Sequence, residues 1–101
     1  MEVVARFSAH LRGVQGFAPT TVATYADTVD RFGRWLATGD RGPLTAADHG
    51  DVVAWITEQV ELGLAPATRA LNLCGLRSFY DWLPDRADDP TDRVGAARAT
   101  A

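Results

Sequence analysis

The side chains of this sequence most able to support chemistry are two histidines, one cysteine and four carboxylates near its middle. His10 and His49 are far apart and have no cysteine partner at metal-ligand spacing, so they do not predict a metal site. Asp48 and Asp51 stand three residues apart at the start of a predicted helix, where carboxylates cap free backbone N–H groups. We therefore predict no metal and no cofactor.

The remaining reactive groups also have structural interpretations. Glu58 and Glu61 occupy solvent-facing positions of the same predicted helix, so they do not predict an acid–base pair. Tyr25 and Tyr80 lie on apolar stripes, which favours a packing role over that of a nucleophile. The sequence has no glycine-rich phosphate loop. We expect no catalytic activity from this chain by itself.

All ten basic residues are arginine, in a chain of 101 residues with a formal net charge of −3. Arginine is well suited to contact phosphate and guanine, but its exclusive use is equally typical of a GC-rich genome. The acidic excess is concentrated in residues 45–63, which contain four carboxylates and no lysine or arginine. The length is that of about one domain, and a hydrophobic content of 47% predicts one compact core.

Cys74 is the only cysteine, so no internal disulfide can form, which fits a reducing compartment. We interpret it as a small buried hydrophobic residue rather than as a reactive thiol. No segment is long and apolar enough to span a bilayer, and the N-terminus lacks the apolar core of a signal peptide. These features predict a cytoplasmic protein without a membrane partner.

Hydrophobic periodicity predicts an all-α fold of four helices. Each helix carries apolar residues at three- and four-residue spacing, and prolines or glycines mark several of the ends. The predicted ranges are 2–12, 19–37, 48–62 and 66–83. The segment 37–44 between the second and third helices is interpreted as a turn-rich linker.

The fourth helix is the element around which we expect the others to pack. Pro66 suits its first turn, and Pro84 cannot continue it. One face carries Leu73, Leu76, Phe79, Tyr80 and Leu83, and the opposite face carries Leu71, Cys74 and Trp82. A helix with apolar residues on both sides is usually buried between other helices.

The residues after the fourth helix are rich in alanine, aspartate and arginine, with few apolar side chains to bury. We interpret them as a linker or a frayed end. The expected organisation is a helical domain over residues 1–88, followed by a linker or tail over residues 89–101.

Three segments carry a recognisable pattern: TTVATYADTVDRFGRWL, DVVAWITEQVELGLAPATRALNLCGLRSFYDWL and DDPTDRV. They resemble the N-terminal core-binding domain of tyrosine recombinases, the phage-integrase and Xer-type family. LRSFYDWL is the most specific piece. The matching positions, mostly of core or capping types, are Thr21, Tyr25, Val29, Phe32, Trp35, Leu36, Asp51, Val52, Trp55, Ile56, Gly63, Thr68, Leu73, Leu76, Arg77, Phe79, Tyr80, Leu83, Pro90 and Val94.

The resemblance implies a four-helix orthogonal bundle with a SAM-like topology that forms half of a clamp around duplex DNA. In that family the second and fourth helices approach the major groove. A separate C-terminal catalytic domain of the parent chain cuts and rejoins the DNA strand, and other recombinase protomers are further expected partners. The family's catalytic residues cannot be placed in this chain, so the resemblance implies the DNA-binding part of a recombinase.

The residues expected to contact DNA are Thr20, Thr24 and Arg31 on the second helix and Arg69, Asn72 and Arg77 on the fourth. Hydroxyl and guanidinium groups along one stripe can contact a nucleic-acid backbone, although an ordinary solvated face has the same composition. Arg77 is the first choice for a phosphate contact because it matches the family. The alternative for Arg77 is a surface salt bridge with Asp81, four residues further on.

The outward side of the fourth helix carries almost no charge. Its residues are Ala67, Ala70, Leu71, Cys74 and Ser78. Because phosphate neutralisation normally supplies most of the affinity for DNA, we expect the isolated domain to bind weakly. The alternative function is a helical protein–protein interaction or oligomerisation domain that has lost DNA binding and uses this face together with Trp82.

Overall fold

Four α-helices and one short 3-10 turn make up the described part of the computed structural model, which comprises residues 2–13, 16–83 and 90–91. The elements are α1 (Glu2–Gly13), α2 (Pro19–Thr38), the 3-10 turn (Leu44–Ala46), α3 (His49–Glu61) and α4 (Pro66–Trp82). The all-α prediction is confirmed, and every predicted helix end lies within one residue of the observed end. The predicted tail lies outside the described residues, apart from positions 90 and 91.

Local chemistry accounts for the helix ends. Pro19 and Pro66 begin α2 and α4, where a backbone N–H would have no partner within the helix. At the start of α3 the Asp48 carboxylate accepts a hydrogen bond of 2.9 Å from the Asp51 N–H, and the Asp51 carboxylate accepts one of 3.0 Å from the Asp48 N–H. Gly63 follows α3 with a φ of 81°, a conformation that glycine adopts without strain. The predicted capping role of the aspartates is confirmed.

The hydrophobic core is built from the predicted apolar stripes of all four helices. Phe7 of α1, Phe32 of α2 and Phe79 of α4 are fully buried, and the rings of Phe7 and Phe79 meet edge to face at 5.3 Å. The other buried hydrophobic residues are Leu11, Val22, Val29, Leu36, Leu44, Ala47, Val52, Trp55, Ile56, Leu73, Leu76 and Tyr80.

Helices α2 and α4 pack closely where Thr28 faces Gly75. A β-carbon placed on Gly75 would lie 3.2 Å from both Cβ and Cγ2 of Thr28, closer than ordinary van der Waals contact. The absence of a side chain at Gly75 therefore allows the two helices to approach at this level. This contact sets the position of α4, the helix that carries half of the predicted DNA contacts.

The linker between α2 and α3 contributes to the core, which its turn-rich composition did not predict. Leu44, the first residue of the 3-10 turn, and Ala47, which follows the turn, are buried. The buried Tyr80 hydroxyl donates a hydrogen bond of 2.8 Å to the Leu44 carbonyl. A buried tyrosine needs such a partner, so this bond ties the linker to α4.

α4 is buried on one side only. Leu71 remains 44% exposed and Cys74 is exposed, whereas Trp82 is half-buried and packs on Phe7 and Phe79. The predictions that α4 is covered on both sides and that Cys74 is a buried hydrophobic residue are therefore wrong. The reason is tertiary, because the neighbouring helices pack against the opposite side of α4.

Two residues of the predicted linker are buried. Pro90 and Thr91 lie against the helical domain, and the Pro90 carbonyl is 3.2 Å from Nδ1 of His49 at the start of α3. The two described residues of the predicted tail are thus in contact with the domain, and the interpretation of residues 89–101 as a linker or tail stays a prediction. The division at residue 88 stays a prediction.

An ion pair joins the linker to the capping box of α3. Nη1 of Arg41 lies 2.9 Å from Oδ1 of Asp51, and the Arg41 guanidinium stands 4.7 Å from the centre of the Trp35 ring. Burial by itself raises the pKa of Asp51, but the hydrogen bond from the Asp48 backbone and the charge of Arg41 outweigh it. The pKa of Asp51 is consequently below its ordinary value.

We expect Asp51→Asn to lower the free energy of unfolding by about 1 kcal/mol at neutral pH, and by much less in strong acid. Because the pKa of Asp51 is lower in the folded than in the unfolded chain, the ionised carboxylate stabilises the fold above the ordinary pKa. This stabilisation is lost as the pH falls through the lowered folded value. Urea unfolding followed by circular dichroism, at neutral pH and at about pH 2, measures the difference.

The matched control is Asp30→Asn, which removes an ion pair of 2.7 Å to Arg34 on α2, whose side chain is 76% exposed. Its expected effect is below about 0.5 kcal/mol at either pH, since exposed pairs contribute little. A loss for Asp51→Asn that persists undiminished in acid would contradict the ionic contribution.

Candidate nucleic-acid interface

The predicted contacts on α2 lie along its edge with α4. A shallow surface depression is lined by Thr20, Thr21, Thr24 and Tyr25 of α2 and by Leu71 of α4. The Thr24 hydroxyl donates a hydrogen bond of 2.8 Å to the Thr20 carbonyl. Thr24 must therefore rotate its hydroxyl before it can donate to a phosphate, whereas Thr20 is exposed at the helix start.

Arg31 is held at the same edge by partners on both helices. Its Nε lies 2.8 Å from Oδ2 of Asp27, one turn earlier on α2, and its Nη2 donates a hydrogen bond of 3.0 Å to Oδ1 of Asn72 on α4. The Arg31 side chain keeps 43% of its surface exposed. A guanidinium has five N–H donors, so the exposed part can still contact an anion.

Asn72 is buried, with 2% of its surface exposed. Its Oδ1 lies near donors of Thr28 and Arg31 on α2, and its Nδ2 donates a hydrogen bond of 3.2 Å to Oε1 of Gln59 on α3. The side chain points to the junction of three helices and presents no surface to a ligand. Asn72 is therefore not part of the surface that we propose to contact DNA, because its side chain is buried.

Arg69 and Arg77 lie on the other flank of α4. The Nε of Arg69 donates a hydrogen bond of 3.3 Å to the Leu64 carbonyl. The Arg69 side chain is partly buried. Arg77 is exposed and forms no ion pair within the described residues, so the alternative pair with Asp81 is not observed. At 3.6 residues per turn, Arg77 lies about 120° around α4 from Leu71, the residue beside α2.

The structure thus separates the six predicted residues into three groups. Thr20, Thr24 and Arg31 share the α2 edge, Asn72 is interior, and Arg69 and Arg77 lie across α4. Between the two flanks runs an exposed, uncharged strip that we call the outer ridge of α4, formed by Ala67, Ala70, Leu71 and Cys74. The candidate interface is thus an uncharged ridge within residues 67–74, with an arginine on either side.

The sequence analysis did not identify two polar residues at the junction of α2, α3 and α4. Thr28 and Gln59 are buried and contact Asn72 from α2 and α3. Both stand on the apolar stripes of their helices, Thr28 beside Val29 and Gln59 three residues after Ile56. A polar residue on a core stripe is the signal that predicts a buried polar contact.

Within the described part of the chain, no helix is long and apolar enough to cross a membrane. The same residues contain no group of three histidine, cysteine or carboxylate side chains placed to hold a metal ion. Glu58 and Glu61 are exposed, as expected for solvated side chains.

Comparison with known proteins identifies relatives over most of the chain. The profile of the family described as "Phage integrase, N-terminal SAM-like domain" matches residues 4–87. The tyrosine recombinase XerC of Pediococcus pentosaceus is 30% identical over 84 residues, which are 82% of this chain and 28% of the relative. The XerC of Roseiflexus sp. RS-1 is 24% identical over 94% of this chain, which corresponds to 31% of the relative. The XerC of Myxococcus xanthus is 30% identical over 80% of this chain, which corresponds to 27% of the relative.

The matches define which part of those relatives this chain resembles. It spans less than a third of their length, and the matching family model describes an N-terminal domain. No solved structure matches the chain. The four-helix, all-α architecture agrees with the SAM-like family that the residue pattern indicated. The chain therefore belongs to the phage integrase N-terminal SAM-like domain family.

Proposed function

We propose that this domain binds duplex DNA as the core-binding part of a site-specific tyrosine recombinase. The observation that carries the proposal is the family match over residues 4–87, with relatives that are tyrosine recombinases. Cutting and rejoining of DNA belong, in this proposal, to a C-terminal catalytic domain of the parent chain. The expected cytoplasmic location and the contacts with other protomers belong to the same proposal.

The outer ridge of α4 is the surface proposed to enter the major groove. Its alanine and leucine side chains are small or apolar enough to approach base edges and thymine methyl groups. In this proposal the exposed Arg31 on the α2 flank and the exposed Arg77 on the opposite flank contact phosphates on either side of the groove. A neutral ridge between two cationic flanks fits a groove bounded by two phosphate backbones.

The charge distribution supports weak binding by the domain alone. The whole chain has a net charge of −3, and Arg31 shares its charge with Asp27. Non-specific DNA binding depends on phosphate neutralisation, with dissociation constants of roughly 10⁻⁴–10⁻⁶ M at physiological salt. We expect the dissociation constant of the isolated domain to lie at or above the upper end of that range. A second DNA-binding domain on the same chain is expected to raise the affinity by increasing the effective concentration of the first.

We expect Arg77→Gln to weaken binding to a short non-specific duplex several-fold at low salt and to reduce the salt slope by about one. The reason is the loss of one phosphate contact from an exposed guanidinium that the described residues leave without an ion pair. An NMR titration of the isotope-labelled domain with increasing salt measures both quantities.

Arg12→Gln on α1 is the matched control, because it removes the same charge from an exposed position on another helix. A smaller loss for this variant supports the proposed surface. Equal losses would show a general charge effect, and the absence of any shift at low salt would contradict DNA binding itself.

The exposed outer ridge also favours a second candidate, a protein–protein interaction surface. Leu71 is 44% exposed beside the exposed Cys74, and uncharged patches of this kind often bind protein. In that case the ridge resonances would shift with protein concentration and stay unchanged on addition of duplex. The same titration therefore separates the two candidates.

A further inference from the structure

Four polar side chains meet between α2, α3 and α4, and we call them the polar junction: Thr28, Arg31, Gln59 and Asn72. Thr28, Gln59 and Asn72 are buried, and only Arg31 reaches the surface. Oδ1 of Asn72 is 3.0 Å from Nη2 of Arg31 and 3.2 Å from Oγ1 of Thr28. Its Nδ2 is 3.2 Å from Oε1 of Gln59. The junction thus connects one surface cation to the interior.

Arg31 determines how the amides of the junction are oriented. A guanidinium has donors and no acceptor, so the Asn72 oxygen must face it. The Asn72 nitrogen is then directed at Gln59, which accepts through its oxygen. The Nε2 of Gln59 is left buried with no hydrogen-bond partner among the described residues. An unsatisfied buried donor is destabilising. This orientation of the amides therefore keeps the hydrogen bond from Arg31 to Asn72 and leaves one donor of Gln59 unpaired.

We propose that Asn72 is a positioning residue for DNA binding, which holds the Arg31 guanidinium at the α2–α4 edge without neutralising it. This inference rests on the proposed function. Asp27 contacts the guanidinium from the exposed side, and Asn72 holds it from the interior. An immobilised side chain loses less conformational entropy on contacting a phosphate. A neutral amide provides this restraint without adding a second negative charge to that of Asp27.

The first test compares Asn72→Leu with Gln59→Met, a control in the same junction that leaves the Asn72 oxygen facing Arg31. We expect Asn72→Leu to mobilise the Arg31 side chain, measured by the heteronuclear NOE of its Nε–Hε group. It should also weaken duplex binding about three-fold at low salt, whereas Gln59→Met should change neither readout. An Arg31 signal unchanged by Asn72→Leu, or an equal loss of affinity in the control, would overturn the inference.

A double-mutant cycle tests whether Asn72 acts through Arg31. In an Arg31→Gln background, Asn72→Leu should cause no further loss of affinity, because the group that it positions is already absent. Losses that multiply in the double variant would assign Asn72 an unrelated, purely structural effect.

Asn72→Asp provides a variant that keeps the size and the acceptor, should Asn72→Leu fail to fold. We expect it to keep Arg31 ordered while it lowers the affinity for duplex and the salt dependence, because a second carboxylate then faces the guanidinium in addition to that of Asp27. Unchanged affinity would overturn the inference. If the unmodified domain binds no duplex at low salt, the proposed function fails, and with it the DNA role of Asn72; the Arg31 signal still reports separately whether Asn72 orders the guanidinium.

Discussion

Replacing Phe79 with alanine is expected to lower the free energy of unfolding by about 3–5 kcal/mol, a large part of the total stability of a small domain. Phe79 is fully buried in α4. Its ring contacts those of Phe7, Tyr80 and Trp82, with centre-to-centre distances of 5.3, 4.8 and 5.8 Å. Truncation removes these contacts and leaves a cavity between α1 and α4, which the packed helices cannot fill by small shifts.

Thermal and urea unfolding of the Phe79→Ala variant measure this loss. Leu71→Ala is the matched control on the same helix, because Leu71 lies on the outer ridge and is 44% exposed. We expect it to change the free energy of unfolding by less than about 0.5 kcal/mol. Similar losses for the two variants would contradict the one-sided burial of α4.

Replacing Gly75 with leucine is expected to destabilise the domain by about 3 kcal/mol. A β-carbon alone would already lie 3.2 Å from two side-chain atoms of Thr28, and a leucine directs three further carbons into the same space. The helices α2 and α4 must separate to admit them, which also disturbs the Thr28–Asn72 contact of the polar junction. Duplex binding should therefore weaken together with stability.

Gly13→Leu is the control for the glycine replacement. A β-carbon at Gly13, the last residue of α1, meets no atom of the described residues within 4 Å. The variant gains side-chain volume without a clash, so its free energy of unfolding should stay within about 0.5 kcal/mol of the unmodified domain. Tolerance of leucine at position 75 to the same degree would refute the close α2–α4 contact.

Most of the local structure was predictable because it depends on neighbours in the sequence. Apolar spacing alone placed the four helices, and Pro19, Pro66 and Gly63 marked ends that the structure confirms. The capping pair Asp48 and Asp51 was recognisable from its three-residue spacing. In each case the partner groups lie within one helical turn, so no knowledge of the tertiary arrangement was required.

The candidate site was only partly predictable. The sequence indicated polar residues on α2 and α4, but helical periodicity cannot tell a residue that faces solvent from one that faces a polar junction. Asn72 shows the difference, since it is interior and hydrogen-bonded to α2 and α3. Cys74 shows the converse, because an apolar-type residue lies exposed on the outer ridge.

Taken by itself, the sequence determined the all-α class, the helix ends and the family resemblance, because these depend on composition, periodicity and local hydrogen bonding. Only the tertiary structure decided where Tyr80 and Leu44 meet and which polar groups become buried partners. These features arise from contacts between residues distant in the sequence, such as Arg31 with Asn72 and Thr28 with Gly75. The packing of helices determines them, and no local pattern encodes that packing.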